Sequence, residues 1–267
     1  MKEGSYKVKT TKYSFIMDVI YFENIYTIKY GDALNREGPC MELTYNKTKP
    51  NIIKLDSLQY DARCRFSSAS PSIGKLLQRK EGTRDMIQSI LKICLNSFPS
   101  IKRVFFNDVS AIICKDRNLY LSYFYLVNNG QTWYEKYFGA KMRDKIMREK
   151  LKKFKELLAS KPKPNIFPLT FGPNFNKPEE KDKYNTWYEF FNTKPCEFFT
   201  YMRTHHEDID IKTAIERVSG IKFVYSEWYI PQKAISEYSA EILSIKKTKP
   251  FTGGGERHIL RTKNQHF

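Results

Sequence analysis

Between residues 40 and 107 the apolar residues change period twice, and few folds accommodate that. From Tyr13 to Asp61 the chain is built of short runs, "FIMDVIYF", "IYTIKY", "CMELTY" and "NIIKLDSL", separated by Gly, Asn and Pro. Short β-branched and aromatic runs with such breaks read as consecutive strands, so an antiparallel sheet is expected here. After Gly82 the apolar positions Met86, Ile87, Ile90, Leu91, Cys94 and Phe98 recur at helical spacing, and "KRVFFND" then returns to a strand pattern. A Ser-rich stretch, "SSASPS" at 67 to 72, joins the two parts. The result is a strand, loop, helix, strand unit within an α+β fold.

The second half of the chain is more helical. Residues 119 to 138 predict a helix interrupted or capped near Asn128-Asn129-Gly130. From Lys141 to Ala159 the apolar residues Met142, Ile146, Leu151, Phe154 and Leu158 run beside eight basic ones, which predicts a basic amphipathic helix. Residues 160 to 183 are rich in proline and lack a period, so they read as a linker or long loop. "YNTWYEFFNTKPCEFFTYM" is a dense aromatic helical segment. "DIDIKTAIERVSG" is a helix with Asp at its start and Gly220 at its stop, and "IKFVYSEWYI" follows as a strand. These elements divide the chain into an α+β domain over 1–140, a basic helix and linker over 141–183, a small α/β or α+β region over 184–245, and a basic mobile tail over 246–267.

Composition narrows the partners. Lys and Arg number 46 against 29 acidic residues, a net charge of +17, which favours polyanions such as RNA or DNA. An excess of lysine on a solvated surface would read the same way, so the charge fixes no specificity. The five cysteines are scattered, odd in number and without a C-x-x-C pair. That predicts neither a disulfide framework nor a zinc ribbon, and an intracellular, reducing setting. No window approaches the length of an apolar membrane span, and the N-terminus has no apolar signal core.

The Gly-bearing loop, amphipathic helix, strand, second helix and "WYEKYFGA", over about residues 40 to 140, resemble the GNAT acyltransferase superfamily. Its pattern is R-x-x-G-x-G/A on the loop and a Y-E-K-x-G-F-like ending downstream. Arg79 and Gly82 fall on the first two loop positions, with Thr83 between them and Arg84, which stands where the family has Gly or Ala. The "G-T-x-x-M" loop with "G-x-T-W-Y-E-K" is also similar to proteins of large nucleocytoplasmic DNA viruses. That likeness implies a viral protein of the host cytoplasm or virion, with viral or host protein partners.

The family resemblance implies acetyl-CoA or another acyl-CoA, held by the loop and the helix that follows, and an amine that attacks its thioester. Tyr134 is the position that would protonate the leaving thiolate, because a phenol keeps its proton at neutral pH. Packing has the first claim on Trp133, Tyr134, Tyr137 and Phe138, since an aromatic cluster at this spacing serves to dock a helix on a sheet. Asp61 and Asp108 lie at strand ends, where aspartate is an ordinary turn former. After the second motif the lysine-rich helix stands where the family has a strand pair.

Other chemistry has less to stand on. "RTHHED" at 203 to 208 lacks the spacing of a metal site and reads as a polar turn, so no metal is expected. Nucleic-acid contact is expected on the basic helix, through Lys145, Arg148, Lys152 and Lys155. The classes left open are an acyl-CoA-dependent N-acyltransferase, a catalytically silent relative that binds RNA or DNA, and a viral structural or assembly protein.

Overall fold

A computed structural model of the protein describes residues 1–10, 14–30, 41–58, 80–108, 111–115, 117–160, 184–205 and 211–248. The first five strands are β1 (Gly4–Thr10), β2 (Ser14–Phe22), β3 (Ile25–Tyr30), β4 (Met41–Asn46) and β5 (Ile52–Leu58), each antiparallel to the next. The alternation is regular. Phe15, Met17 and Val19 of β2 are buried while Ile16 and Ile20 face out, and β3 and β4 repeat the pattern. The β2–β3 turn is two residues long, with both Glu23 (φ 46°) and Asn24 (φ 67°) left-handed, the twist that suits a tight hairpin.

After β5 the chain enters helix α1 (Lys80–Ser97) and returns as β6 (Arg103–Asn107), which lies parallel to β5. The apolar stripe read from the sequence is buried throughout, and so are Asp85, Gln88, Ser89 and Ile93. A helix buried on nearly all sides is a central core helix rather than a surface one. Lys92 is half-buried, and its ammonium donates to the carbonyls of Tyr238 and Ala240.

A small hairpin of β7 (Ala111–Cys114) and β8 (Arg117–Tyr120) precedes α2 (Leu121–Asn129) and α3 (Trp133–Phe138). The helix expected over 119 to 138 is therefore two helices, and its first two residues belong to β8. Gly130 ends α2 in a left-handed conformation (φ 70°), with its N–H on the Leu126 carbonyl. Thr132 then starts α3 with a capping box: its hydroxyl accepts from Glu135 N–H at 3.2 Å, and its own N–H donates to Glu135 Oε2 at 2.9 Å. Thr132→Ala is expected to cost about 1 kcal/mol, read as a lower chemical-denaturation midpoint. Thr132→Ser should restore most of it.

The basic helix, α4, spans Lys145–Ala159, with Asp144 as its cap. It begins later than expected, because Lys141 and Met142 form a short strand, β9, beside Tyr229 and Trp228 of β10 (Glu227–Pro231). A strand pair thus follows the "WYEKYFGA" stretch, although its two members come from distant parts of the sequence. Helices α5 (Tyr184–Thr193), α6 (Pro195–His205) and α7 (Ile211–Ser219) come between them, and α8 (Gln232–Ser236) and β11 (Ile242–Lys247) follow. The expected linker from 161 to 183 and the tail from 249 lie outside the described residues. Lys246 and Lys247, expected in the tail, are strand residues that pair with β1.

The nine-stranded sheet has the order β11-β1-β2-β3-β4-β5-β6-β10-β9, and only β5 and β6 run parallel. Strands from both sides of residue 140 share it. One face carries the core, a single cluster that includes Val8, Met17, Ile28, Leu43, Ile53, Val104 and Trp228 from the sheet. Tyr123, Phe138, Phe154, Phe191, Phe198 and Ile215 join it from the helices. The opposite face keeps Lys7, Lys9, Ile16, Ile20, Ile52, Lys54 and Arg103 exposed.

Two cysteines correct the sequence reading. Cys114, at the end of β7, is disulfide-bonded to Cys196 near the start of α6, with their Cα atoms 5.4 Å apart. Their wide separation in sequence gives no spacing signal, and only the fold brings them together. Among the described residues Cys94 is free; burial pushes its thiol up to about 12, which keeps it unreactive.

Candidate functional site

Strands β5 and β6 pair only briefly. Ile52, Ile53 and Lys54 stand beside Arg103, Val104 and Phe105. Beyond that, β5 continues to Leu58 paired with β4, and β6 to Asn107 paired with β10, but the two no longer pair with each other, so they part toward their carboxyl ends. A crossover helix between parallel neighbours runs back against both. The end of α1 bears this out, since Phe98 stacks at 4.3 Å on Tyr45, which is opposite Ile53 near the start of β5. The first turn of α1 therefore belongs to the end where the strands part.

Gly82 and Thr83 are the third and fourth residues of α1, inside its first turn rather than on a loop before it. Backbone N–H groups of a first turn have no partner within the helix. Arg79 lies outside the described residues. Arg84 is half-buried, with Nη2 at 3.2 Å from Asp85 Oδ1 and its guanidinium 5.6 Å from the centre of the Tyr137 ring. One turn on, Gln88 donates to the Tyr137 carbonyl at 3.2 Å. Helices α1 and α3 are thus joined at this end, which brings Arg84 to the helix that carries Tyr134.

Tyr134 is 4% exposed, with its ring 4.4 Å from Phe106 and 5.8 Å from Phe138. The aromatic cluster does the packing expected of it, and it docks α3 on the end of β6 that pairs with β10 and no longer with β5. Asp108 follows two residues after Phe106 and is 2% exposed, so it is a buried carboxylate rather than a surface turn former. Asp61 lies outside the described residues. Buried polar atoms with no hydrogen-bond partner among the described residues include Ser57 Oγ on β5, Gln88 Oε1 on α1 and Trp228 Nε1 on β10, and also Ser122 Oγ and the Asn128 amide on α2. Buried polar groups are rarely left so, and a bound polar ligand is one way to satisfy them.

The basic helix is divided in its duties. Lys145 and Lys152 are exposed. Arg148 Nη1 donates to the carbonyls of Met142 and Arg143, at 2.7 and 2.8 Å, and Lys155 pairs with Glu135 Oε1 at 2.6 Å. Half of the four residues expected to meet nucleic acid therefore tie α4 to β9 and to the capping box of α3. Leu151, Phe154 and Leu158 are buried as the stripe requires, while Ile146 is 67% exposed.

Elsewhere, the buried phenol of Tyr123 donates to Glu216, and burial followed by that bond raises its pKa. Among the described residues there is no group of three metal-ligating side chains and no helix long and apolar enough to cross a membrane. Of "RTHHED", residues 203 to 205 end α6 and the rest lies outside the described residues. Family models, curated proteins and solved structures give no match to this chain.

Proposed function

We propose that the chain is a GNAT-like, acyl-CoA-dependent N-acyltransferase whose cofactor enters between β5 and β6 at the first turn of α1. The observation that carries this reading is the parting of those two parallel strands beside the start of the crossover helix. The proposed entry lies beyond Lys54 and Phe105, where the two strands have no further pairs with each other. The N–H groups around Gly82 and Thr83, which have no partner within the helix, meet the cofactor phosphates, an arrangement favoured at any helix start. Arg84, steadied by Asp85 and the Tyr137 ring, turns its remaining donors to the same anion.

The chemistry then falls to residues on β6 and α3. An amine attacks the thioester carbonyl carbon, a C–N bond forms, the C–S bond breaks, and Tyr134 gives its phenolic proton to the departing thiolate. Asp108, buried just beyond Phe106, takes the proton that the incoming ammonium must lose.

Coenzyme A is expected to raise the melting temperature in proportion to the logarithm of its concentration, by about 2.7 kcal/mol of stabilisation at a hundred times Kd. A concentration series without any shift overturns the reading. Tyr134→Phe keeps the ring against Phe106 and removes only the hydroxyl. It should retain the cofactor shift while turnover drops about 10²- to 10⁴-fold.

A further inference from the structure

The open face of the sheet carries a second arrangement that the acyl-CoA reading does not use. Lys54, Phe105, Tyr229 and Lys141 stand side by side across β5, β6, β10 and β9. They form one cross-strand row, about 14 Å long at ordinary strand spacing. Side chains alternate along β6, so Val104 and Phe106 enter the core and Phe105 points the other way. Phe105 is 5% exposed and yet is not part of the main core cluster.

What lies over the two rings is cationic. The Arg143 guanidinium is 5.3 Å from the centre of the Phe105 ring, the Arg103 guanidinium is 5.2 Å from that of Tyr229, and the rings are 6.0 Å apart. Lys54, Arg103, Lys141 and Arg143 are all exposed. Among the described residues the acids nearby are few: Glu227 pairs with Arg143, and Asp56 accepts from the hydroxyl of Thr44. The patch has more positive charge than these acids neutralise, and its arginine guanidiniums lie over aromatic rings. An arginine held this way loses little freedom when its edge donors meet a phosphate.

We infer that this face binds single-stranded nucleic acid, with Lys54, Arg103, Lys141 and Arg143 along the phosphates and Tyr229 offering a base its ring. A flat platform of basic and aromatic side chains suits a strand whose bases are free to stack. It sets aromatic rings beside its cations, whereas on α4 Arg148 and Lys155 are engaged within the fold. This inference goes beyond the acyltransferase reading and stands without it.

The test is fluorescence anisotropy of a labelled oligo-dT and a labelled oligo-U with the full chain, over a salt series. Binding at low salt that weakens linearly in log-log terms is expected, with a slope of roughly 0.7 per phosphate neutralised. The triple variant Lys54→Glu, Arg103→Glu, Lys141→Glu should weaken binding at least tenfold and flatten the slope. Tyr229→Ala should weaken it by about five- to a hundredfold, the range for loss of one stacked base. Lys145→Glu with Lys152→Glu on α4 should leave the affinity within about twofold.

Should the triple variant fail to fold, Lys54→Gln with Lys141→Gln keeps the arginine and ring contacts and should still flatten the slope. The inference is overturned if the oligonucleotides do not bind at low salt. It is equally overturned if the α4 pair loses binding while the sheet variants keep it. Binding to phosphatidylserine vesicles without binding to either oligonucleotide would assign the patch to a lipid surface instead, and would also overturn it.

Discussion

Trp228→Ala is expected to destabilise the protein by about 3–5 kcal/mol, the range for deleting a large buried aromatic side chain, and so to remove a large part of a typical domain's stability. Trp228 is 1% exposed and sits on β10, the strand set between β6 and β9. It is opposite Phe106 on one side and Met142 on the other, and it lies parallel to Phe223 with ring centres 6.4 Å apart. Its loss would hollow the place where three distant parts of the chain meet. Trp228→Phe should cost much less, because it also deletes an indole N–H that has no partner among the described residues. Urea denaturation of both variants checks this. A cost for the alanine variant within about 1 kcal/mol would mean that β10 is not inserted in the sheet.

The next largest effect is expected at the Cys114–Cys196 bond. It closes a loop of 82 residues in sequence separation, for which the chain-entropy argument gives about 4–5 kcal/mol. Measured losses for native disulfides run about 2–5 kcal/mol, so Cys196→Ser, or reduction of the native chain, should lower the unfolding midpoint clearly. The bond joins the β7–β8 hairpin to α6, which otherwise depends on the contacts of Phe198 and its neighbours. Peptide mapping without reductant should recover the two cysteines linked. If they are recovered separately and the midpoint ignores reductant, the pair is not oxidised in solution.

The parts legible in the sequence are those governed by local period. Phe15, Met17 and Val19 announce β2 by alternation alone, and Met86 to Cys94 announce α1 by their spacing. What stays hidden depends on partners far along the chain. Lys141 and Met142 look like the start of a helix, and only the arrival of Trp228 and Tyr229 makes them a strand. Gly82 looks like a loop residue because glycine breaks helices, yet it is taken into the first turn of one.

The candidate site divides the same way. That Tyr134 packs is plain from its aromatic neighbours, whereas the parting of β5 from β6 and the burial of Asp108 follow from pairings that no local window contains. Charge is the least legible of all. Arg148 and Lys155 are indistinguishable in sequence from Lys145 and Lys152, and tertiary contacts alone separate those with internal partners from those left exposed.

Strand β11 lies along β1, with Lys247 opposite Tyr6 and Thr248 N–H on the carbonyl of Ser5. In folding terms this is a contact of very high order, closed only after nearly every other pairing has a chance to form. Until residues 242 to 247 arrive, β1 is an open edge whose backbone groups can pair with any other strand on offer. Lys246 and Lys247, which finish β11, then put positive charge on that edge of the sheet, beside the exposed Leu243 and Ile245, so the element expected to assemble late is also the one that covers β1.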